Sequence, residues 1–466
     1  MVLWRALQFL TLIDLNMKNT IYLILLFAPL FLGYSSCSSF LDVKSDGKLA
    51  VPATLDDFRA LLNSVDNRLA VPEGEVMSAD QYLPDDEYDA LFCQTDRDLY
   101  RWEDSPMIQE CDGSGGWTLA YKSIYRANVV IKGVEEFEKI NGASPLSADV
   151  KGQGYLNRAI NLFELAQVWC EGVDPIQMES KLGLPLKVTD DFNEKTVRSS
   201  LRATFELIID DLQKAAALLP DKQKSIYWAS KVAAWAYLAK VYLYMHNYEQ
   251  AKLYAHKCIN SDFKLLDYHN VDGGKAYPFI VNGNPEIIYP RFLTTAYYSI
   301  SIKVSRMDSI LYQSYDEGDL RKSLFFNKND NGLFFRGDYG GGGGGSFCGP
   351  TIAEMYLIHA ECAARTGGLG DARHTLQTFL GRRLNKMPNL VDDRLLDQIL
   401  QERRKELVRR AVRFGDVKRL NTLGAGITLK RIIRGKEFLL PPNDSRANIL
   451  IPQIVIERSG IIQNPR

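Results

Sequence analysis

The chain has 466 residues, of which 46% are hydrophobic and 24% are charged, a composition typical of globular proteins. This length is sufficient for one large domain or two smaller ones, each with a substantial core. Because 56 basic and 57 acidic residues leave a formal net charge of −1, the sequence lacks the basic surface that nucleic acid requires, and we exclude that class of partner.

The N-terminal segment has the features of an export signal. Residues 21–32 form a short apolar run that ends shortly before Cys37. A run of roughly twelve residues is too short to span a bilayer and has the size of the apolar region of a signal peptide. The segment before the cysteine is similar to a bacterial lipobox, although Tyr34 replaces the usual aliphatic residue. We therefore predict a signal peptide over residues 1–36, translation from Met17, and a lipid anchor on the cysteine; the alternative is a secreted protein with a free thiol.

The remaining cysteines show no CxxC spacing, which argues against metal or redox chemistry. Cys170, Cys258 and Cys362 fall within helical apolar patterns and are expected to be buried. Cys93 and Cys111 lie in one loop-rich stretch of an exported chain. The sequence leaves open whether these two form a disulfide or remain free.

Helical patterns follow along most of the chain. Thr54 is expected to cap a first helix whose apolar face contains Phe58. Apolar residues recur at three- and four-residue spacing over 116–137 and over 155–169, and a further amphipathic helix over 204–219 ends before a proline.

Two later segments follow the plan of a tetratricopeptide helix pair. The first unit is carried by Trp235, Leu238, Ala239, Tyr242, Ala251, Ala255 and Cys258. The second is carried by Tyr356, Ala360, Ala363, Ala372, Leu376 and Phe379. Small residues at fixed positions allow the two helices of each pair to approach closely, and one pair alone cannot bury both of its faces.

We therefore predict a mostly α fold, a tetratricopeptide-like scaffold with irregular ligand-binding loops and a few short strands. Helix pairs are expected near residues 117–170, 229–260 and 353–380. Residues 262–350 are expected to form a loop-rich insert, within which residues 270–284 are rich in glycine, asparagine and aromatic side chains.

Several short stretches also occur in a characteristic order. They are Cys37-Ser38-Ser39-Phe40-Leu41-Asp42, Tyr125-Arg126-Ala127-Asn128, Gly183-Leu184-Pro185-Leu186, Asn284-Pro285-Glu286-Ile287-Ile288-Tyr289, Ala353-Glu354-Met355-Tyr356-Leu357-Ile358, Glu402-Arg403-Arg404-Lys405-Glu406-Leu407, Ile451-Pro452-Gln453 and Gln463-Asn464-Pro465. Taken in this order, the chain resembles the SusD/RagB family of outer-membrane nutrient-binding lipoproteins. The resemblance implies a single SusD-like domain over residues 37–466, anchored in the outer membrane and facing the cell surface. It also implies a partner, a TonB-dependent SusC-like transporter over which such proteins act as a lid.

The chain departs from the family pattern after the Glu402 stretch. The family usually continues with Glu-Gly and then Arg-Trp-x-Asp, whereas here Arg409-Arg410-Ala411-Val412 precede Arg413-Phe414-Gly415-Asp416. The basic residues within 402–413 are interpreted as a surface helix with local ion pairs to Glu402 and Glu406, in preference to a site for an anionic ligand.

Other motifs favour no catalytic chemistry. The glycine run 340–345 is not followed by the Gly-Lys-Ser/Thr of a phosphate-binding loop and is interpreted as a flexible loop. Acidic clusters at 85–87 and 190–191 are interpreted as solvated charge, since nothing fixes them at the separation that a glycosidase requires. The histidines show no ligand spacing, so neither a metal nor another cofactor is expected.

Sugar binding requires aromatic faces that stack on pyranose rings, flanked by groups that hydrogen-bond to hydroxyls. The loop aromatics that meet this requirement are Trp102, Tyr297, Tyr298, Tyr315 and Tyr339. By contrast, Trp117, Trp169 and Trp235 lie on helix faces and are expected in the core.

These patterns, together with the resemblance, indicate a non-enzymatic protein that captures an oligo- or polysaccharide and delivers it to the transporter. Two alternatives remain open. The same scaffold could bind peptides or protein fragments, or the chain could be a surface glycosidase.

Overall fold

The protein is described by a computed structural model that covers residues 52–105, 110–111, 115–191, 193–342 and 345–466. The expected signal peptide 1–36, with Met17, and the expected lipid site Cys37 lie outside the described residues. Residues from Ala53 to Arg466 pack as one unit.

Helices form most of the described structure. In chain order they are α1 (Leu55–Leu62), α2 (Glu73–Val76), α3 (Asp85–Asp89), α4 (Gln94–Arg101), α5 (Gly116–Asn141), α6 (Pro145–Trp169), α7 (Leu201–Leu218), α8 (Lys231–Tyr244), α9 (Tyr248–Ile259), α10 (Ser309–Gln313), α11 (Leu320–Phe325), α12 (Ile352–Arg365), α13 (Leu369–Leu380), α14 (Leu395–Glu406), α15 (Arg413–Asn421) and α16 (Gln453–Ser459). None of them, over the part of the chain that is described, combines the length and apolarity needed to cross a bilayer.

Local capping explains where several helices begin. The Thr54 side chain accepts from the Asp57 backbone N–H at 3.2 Å, and the Asp57 carboxylate accepts from the Thr54 N–H at 3.0 Å, which makes a reciprocal capping box at α1. Ser144 and Ser147 form the same arrangement at the start of α6. The cap expected at Thr54 is confirmed.

Consecutive helices pack in pairs along the chain: α5 with α6, α8 with α9, and α12 with α13, while α9 also packs on α12. Small residues lie fully buried where the paired helices meet, among them Ala239, Ala251, Ala360 and Ala372. Because these residues have short side chains, the backbones approach closely and bury a continuous apolar core between the pairs. The mostly helical, tetratricopeptide-like fold class is confirmed.

The strands form only two-stranded sheets. In chain order they are β1 (Leu69–Ala70), β2 (Gln81–Tyr82), β3 (Leu182–Pro185), β4 (Arg198–Ser200), β5 (Phe292–Leu293), β6 (Arg306–Met307), β7 (Phe326–Asn329), β8 (Gly332–Phe335), β9 (Leu429–Ile433) and β10 (Lys436–Leu440). The parallel pair β1 and β5 and the antiparallel pair β2 and β6 join the N-terminal region to the insert. In the β9–β10 hairpin, Arg434 and Gly435 both have positive φ, as the favoured two-residue turns require.

The insert has an apolar core of its own. Its buried rings include Tyr268, Phe279, Phe325, Phe326, Phe335, Tyr339 and Phe347. The described part of the glycine run borders this core, where the Asp338 carboxylate accepts from the Phe347 backbone N–H at 2.8 Å. Although it has little regular structure, the insert therefore packs like a small domain.

The interpretation of residues 402–413 as a surface helix is wrong. Helix α14 ends at Glu406, and four basic residues of the segment are buried: Arg403, Lys405, Arg409 and Arg410. The insert and the end of α13 cover this face: Arg383 donates to Glu406 at 2.9 Å and to Glu286 at 2.6 Å. Arg321 of the insert contacts Glu402 and also donates to Glu406 at 3.3 Å. Buried charges persist only when they are paired, and here most partners come from distant segments.

The cysteines behave largely as small apolar residues. Cys170, Cys258 and Cys362 are buried, as expected, and Cys348 is buried as well. Cys93 and Cys111 form a disulfide with their Cα atoms 5.8 Å apart, which settles the pairing that the sequence left open.

Candidate functional site

Four of the five aromatic residues that the sequence suggested as a sugar platform are almost fully buried. The Trp102 indole N–H donates to the Met77 carbonyl at 3.2 Å. The hydroxyl of Tyr297 donates to Glu73 at 2.8 Å, and that of Tyr315 donates to the Lys405 carbonyl at 2.7 Å. Tyr339 donates to Glu286 at 2.7 Å and lies in the insert core. In this arrangement the expected exposed ring faces are absent from these four positions.

The physical reason is the polar neighbourhood that had suggested sugar contacts. A buried tyrosine hydroxyl needs a hydrogen-bond partner, so acidic and carbonyl groups surround core tyrosines as well as binding platforms. Tyr298 alone among the five is only half-buried, and its hydroxyl donates to Glu87 at 3.2 Å.

Of the three tryptophans that were expected in the core, two are buried and one is only half-buried. Trp117 and Trp169 are buried, and their ring centroids lie 5.3 Å apart in an edge-to-face arrangement. Trp235 packs against the core but is only half-buried, because one side of its ring borders a cleft.

This cleft has a volume of about 800 Å³. It is enclosed by residues 221–235, the end of α9 with residues 260–263, and residues 283–288. A volume of this size lies within the range of ordinary ligand pockets, roughly 300–1,000 Å³.

The loop that enters the cleft is fixed by local turns. Helix α7 ends just before Pro220, which lacks the N–H that would continue the helix. The Trp228 backbone N–H donates to the Ser225 carbonyl at 3.1 Å, and two residues later Ser230 becomes the N-cap of α8. Trp228 is thereby held between a turn and a helix start.

Two tryptophan rings line the cleft. Trp228 is half-buried, and the Arg59 guanidinium lies 4.6 Å from its ring centroid. The ammonium of Lys257 lies 5.6 Å from the ring centroid of Trp235. Partly exposed indole faces offer large, rigid contact area for the C–H surfaces of a ligand.

Polar groups complete the lining. The Gln223 amide donates to Asp149 at 2.8 Å and to the Ala229 carbonyl at 2.9 Å, which fixes its orientation. Asn260 contacts the His256 ring nitrogen Nε2 at 2.8 Å. The Ser230 hydroxyl is buried and has no hydrogen-bond partner among the described residues. The cleft thus combines apolar faces with a few convergent polar atoms, the usual composition of a small-molecule site.

A buried carboxylate pair lies elsewhere, behind Tyr297. Burial and, to a smaller extent, the nearby Glu110 carboxylate raise the pKa of Glu73 to about 7. Glu73 accepts from the Gly116 backbone N–H at 2.8 Å and from Tyr297, which leaves it inside the protein and outside the cleft. Within the described ranges, no group of three or more acidic, histidine or cysteine side chains is arranged to hold a metal ion.

Sequence reasoning missed Trp228 and misplaced Trp235. Trp228 meets the criterion used for the other aromatics, since it lies in a loop between Gln223 and Ser230. The cleft itself depends on segments that are distant in sequence and could not be assembled from the sequence alone.

Two family models match the chain. A model described as SusD-like, starch-binding and associating with the outer membrane matches residues 39–243, and a model of the SusD family matches residues 352–437. SusD-like protein P38 of Formosa agariphila is 30% identical over 135 residues, which cover 29% of this chain and 24% of the relative. The chain therefore matches about a quarter of that protein.

Solved structures show the same fold. A SusD superfamily protein from Bacteroides thetaiotaomicron has a TM-score of 0.72 at 20% identity, over 89% of this chain and 100% of the other. A SusD-like carbohydrate binding protein from Bacteroides vulgatus has a TM-score of 0.66 at 18% identity, over 88% and 97%. A laminarin binding SusD-like protein has a TM-score of 0.63 at 17% identity, over 88% and 97%.

Proposed function

Because the chain belongs to the SusD/RagB family, we propose that it binds an oligo- or polysaccharide and delivers it to a TonB-dependent, SusC-like outer-membrane transporter. The observation that carries the binding step is the cleft lined by Trp228 and Trp235. The relatives described as carbohydrate binding and laminarin binding support a glycan as the ligand class.

The chemistry of the cleft suits a sugar. The two indole faces match the C–H faces of pyranose rings, and Ser230, Asn260 and Gln223 provide hydroxyl and amide groups for sugar hydroxyls. The cavity volume of about 800 Å³ has room for a short oligosaccharide rather than one small metabolite.

The binding step is tested by affinity gel electrophoresis of the purified full chain against a panel of polysaccharides, followed by calorimetry with matching oligosaccharides. Trp228→Ala and Trp235→Ala should each weaken binding by about 2 kcal/mol, roughly thirtyfold, the effect of removing a well-packed aromatic contact. Phe92→Ala is the matched control, since Phe92 is 69% exposed and lies outside the cleft. Equal binding by all three variants and the parent would place the ligand elsewhere.

Tyr298 remains a proposed ligand contact, because its ring is half-buried at the surface of the loop region. Tyr298→Ala in the same gels separates this position from the cleft. A loss of binding in this variant alone would move the site to the neighbourhood of Glu87, the acceptor of the Tyr298 hydroxyl.

We further propose that the mature chain begins at Cys37 and is held in the outer membrane by acyl chains on this residue. The description of the matched family model, which associates the family with the outer membrane, supports this location. Two or more acyl chains give firm anchoring, whereas a single chain binds only reversibly. Cys37→Ser should release the protein from the membrane fraction, and mass spectrometry of the native protein should show the added lipid. An unmodified cysteine in the native protein would contradict the anchor.

We expect the protein to deliver its glycan to the transporter without cleaving it. The full chain should co-purify with a SusC-like transporter from detergent extracts and should release no products from a polysaccharide that it binds. Product release that persists after repurification would favour the glycosidase alternative. Binding of peptides without binding to any polysaccharide of the panel would favour the peptide alternative.

A further inference from the structure

Among the described residues, the carboxylates that line the cleft have ion-pair partners, whereas one of its lysines does not. Its two carboxylates are already engaged: Asp221 pairs with the ammonium of Lys231 at 2.9 Å, and Asp262 pairs with that of Lys222 at 2.6 Å. These acids therefore add little net negative charge to the cleft.

Lys257 has no such partner. Within the ranges that the structure describes, no carboxylate lies within 4.0 Å of its ammonium, which contacts the rings of Trp235 and Tyr254 at 5.6 Å and 4.8 Å from their centroids. A lysine in this position places a positive charge beside the aromatic face that would carry a sugar ring. Its long flexible side chain allows the ammonium to turn toward a ligand.

A second feature that favours an anion lies at the start of α8, the helix that carries Trp235. Ser230 is the N-cap of α8, yet its hydroxyl makes no capping hydrogen bond and is buried without a partner among the described residues. The positive end of the dipole of α8 points from this position, and a free hydroxyl here can donate to an acceptor oxygen.

We infer that the cleft binds a saccharide that carries an anionic group, a carboxylate or a sulfate ester, and that Lys257 pairs with this group. This inference rests on the proposed function, since it names the class of glycan that the cleft takes. The indole faces hold the pyranose ring, and the unpaired ammonium selects the charged substituent beside it. Neutral glycans of the same backbone lack the partner that would neutralise Lys257.

The test uses matched pairs of polysaccharides in affinity gels of the full chain. Polygalacturonate is compared with its carboxyl-reduced form, and a sulfated galactan is compared with its desulfated form, so the two anion types are tested separately. At least one acidic polymer should bind roughly tenfold more tightly than its neutral counterpart, the effect of one charge-assisted hydrogen bond. The difference should shrink as salt is added.

Variants connect the preference to the residue. Lys257→Gln should abolish the difference in affinity between the acidic and neutral forms. Lys328→Gln is the matched control, because Lys328 is exposed on β7 and lies outside the cleft. A preference that survives Lys257→Gln, or equal binding of both forms, overturns the inference. If the acidic and neutral forms bind equally and Trp228→Ala abolishes this binding, the inference is overturned but the proposed function stands. If no polymer of the panel binds, the proposed function itself is overturned.

Discussion

The buried carboxylate of Glu73 should make the stability of the protein depend on pH. Glu73 is fully buried at the start of α2, and one of its carboxylate oxygens has no hydrogen-bond partner among the described residues. Burial raises its pKa from 4.5 to about 7, so the ionised form is disfavoured in the folded state. Glu73→Gln keeps an acceptor for the Gly116 N–H and for the Tyr297 hydroxyl but removes the charge.

The sign and size follow from the difference between the two pKa values. A folded-state pKa above the unfolded value contributes stability that is fully present below pH 4.5 and is lost as the pH rises through about 7. The difference between a pKa of 4.5 and one of about 7 corresponds to a free energy of roughly 3 kcal/mol. Glu73→Gln should therefore unfold like the parent at pH 4.5 and be more stable than the parent at pH 8, by up to about 3 kcal/mol.

The assay is urea unfolding followed by tryptophan fluorescence at pH 4.5, 6 and 8. The quantity compared is the difference in the free energy of unfolding between variant and parent at each pH, because other groups titrate equally in both. Glu206→Gln provides the control, since Glu206 is exposed on α7. A difference for Glu73→Gln that stays constant from pH 4.5 to 8 would refute the reasoning, because it would mean that the carboxyl group is not preferentially protonated in the folded state.

Three further predictions concern stability. Ala411 has a φ of 56°, a region that favours glycine, so Ala411→Gly should raise the free energy of unfolding by about 1 kcal/mol, whereas Ala217→Gly in helix α7 should lower it by a similar amount. Arg383→Met leaves the buried Glu286 without its cation and Glu406 with Arg321 alone, and should cost about 3–5 kcal/mol, while Arg382→Met at an exposed neighbour should cost under about 1 kcal/mol. Reducing the disulfide, whose cysteines are separated by 18 positions, should lower stability by about 3 kcal/mol; identical urea midpoints with and without reductant would contradict this.

The helical scaffold could be predicted because its signals are local. A capping residue, a run of apolar positions at helical spacing and a terminating proline all act within a few residues of one another, as at Thr54 and Pro220. The pairing of α8 and α9 could be predicted for the same reason, because the small residues Ala239 and Ala251 occupy the positions of a tetratricopeptide unit where the two helices approach closely.

The insert could not be predicted in the same way, because its aromatic residues are fixed by partners that are distant in sequence. Tyr339 bonds to Glu286 across 53 positions, and Tyr315 bonds to the Lys405 carbonyl across 90. Each ring has an acidic neighbour in sequence, which is also what a sugar platform would have. The prediction of a surface helix over residues 402–413 failed for a related reason. Glu406 pairs with Arg383, which follows α13, and not with a basic residue of its own helix.

Trp235 illustrates why the cleft could not be predicted from the sequence. In a tetratricopeptide unit this position fills the groove between paired helices, which is why the sequence pattern assigned Trp235 to the core. Whether such a ring is covered depends on the next layer, and here the chain leaves α9 as an irregular loop at 260–263 rather than as another helix. The loop that carries Trp228 also lines this cleft. A residue that helical spacing assigns to the core thus becomes one wall of a binding cleft because the stack is interrupted beside it. The same interruption leaves Lys257, at the end of α9, without the carboxylate that a following helix could have supplied.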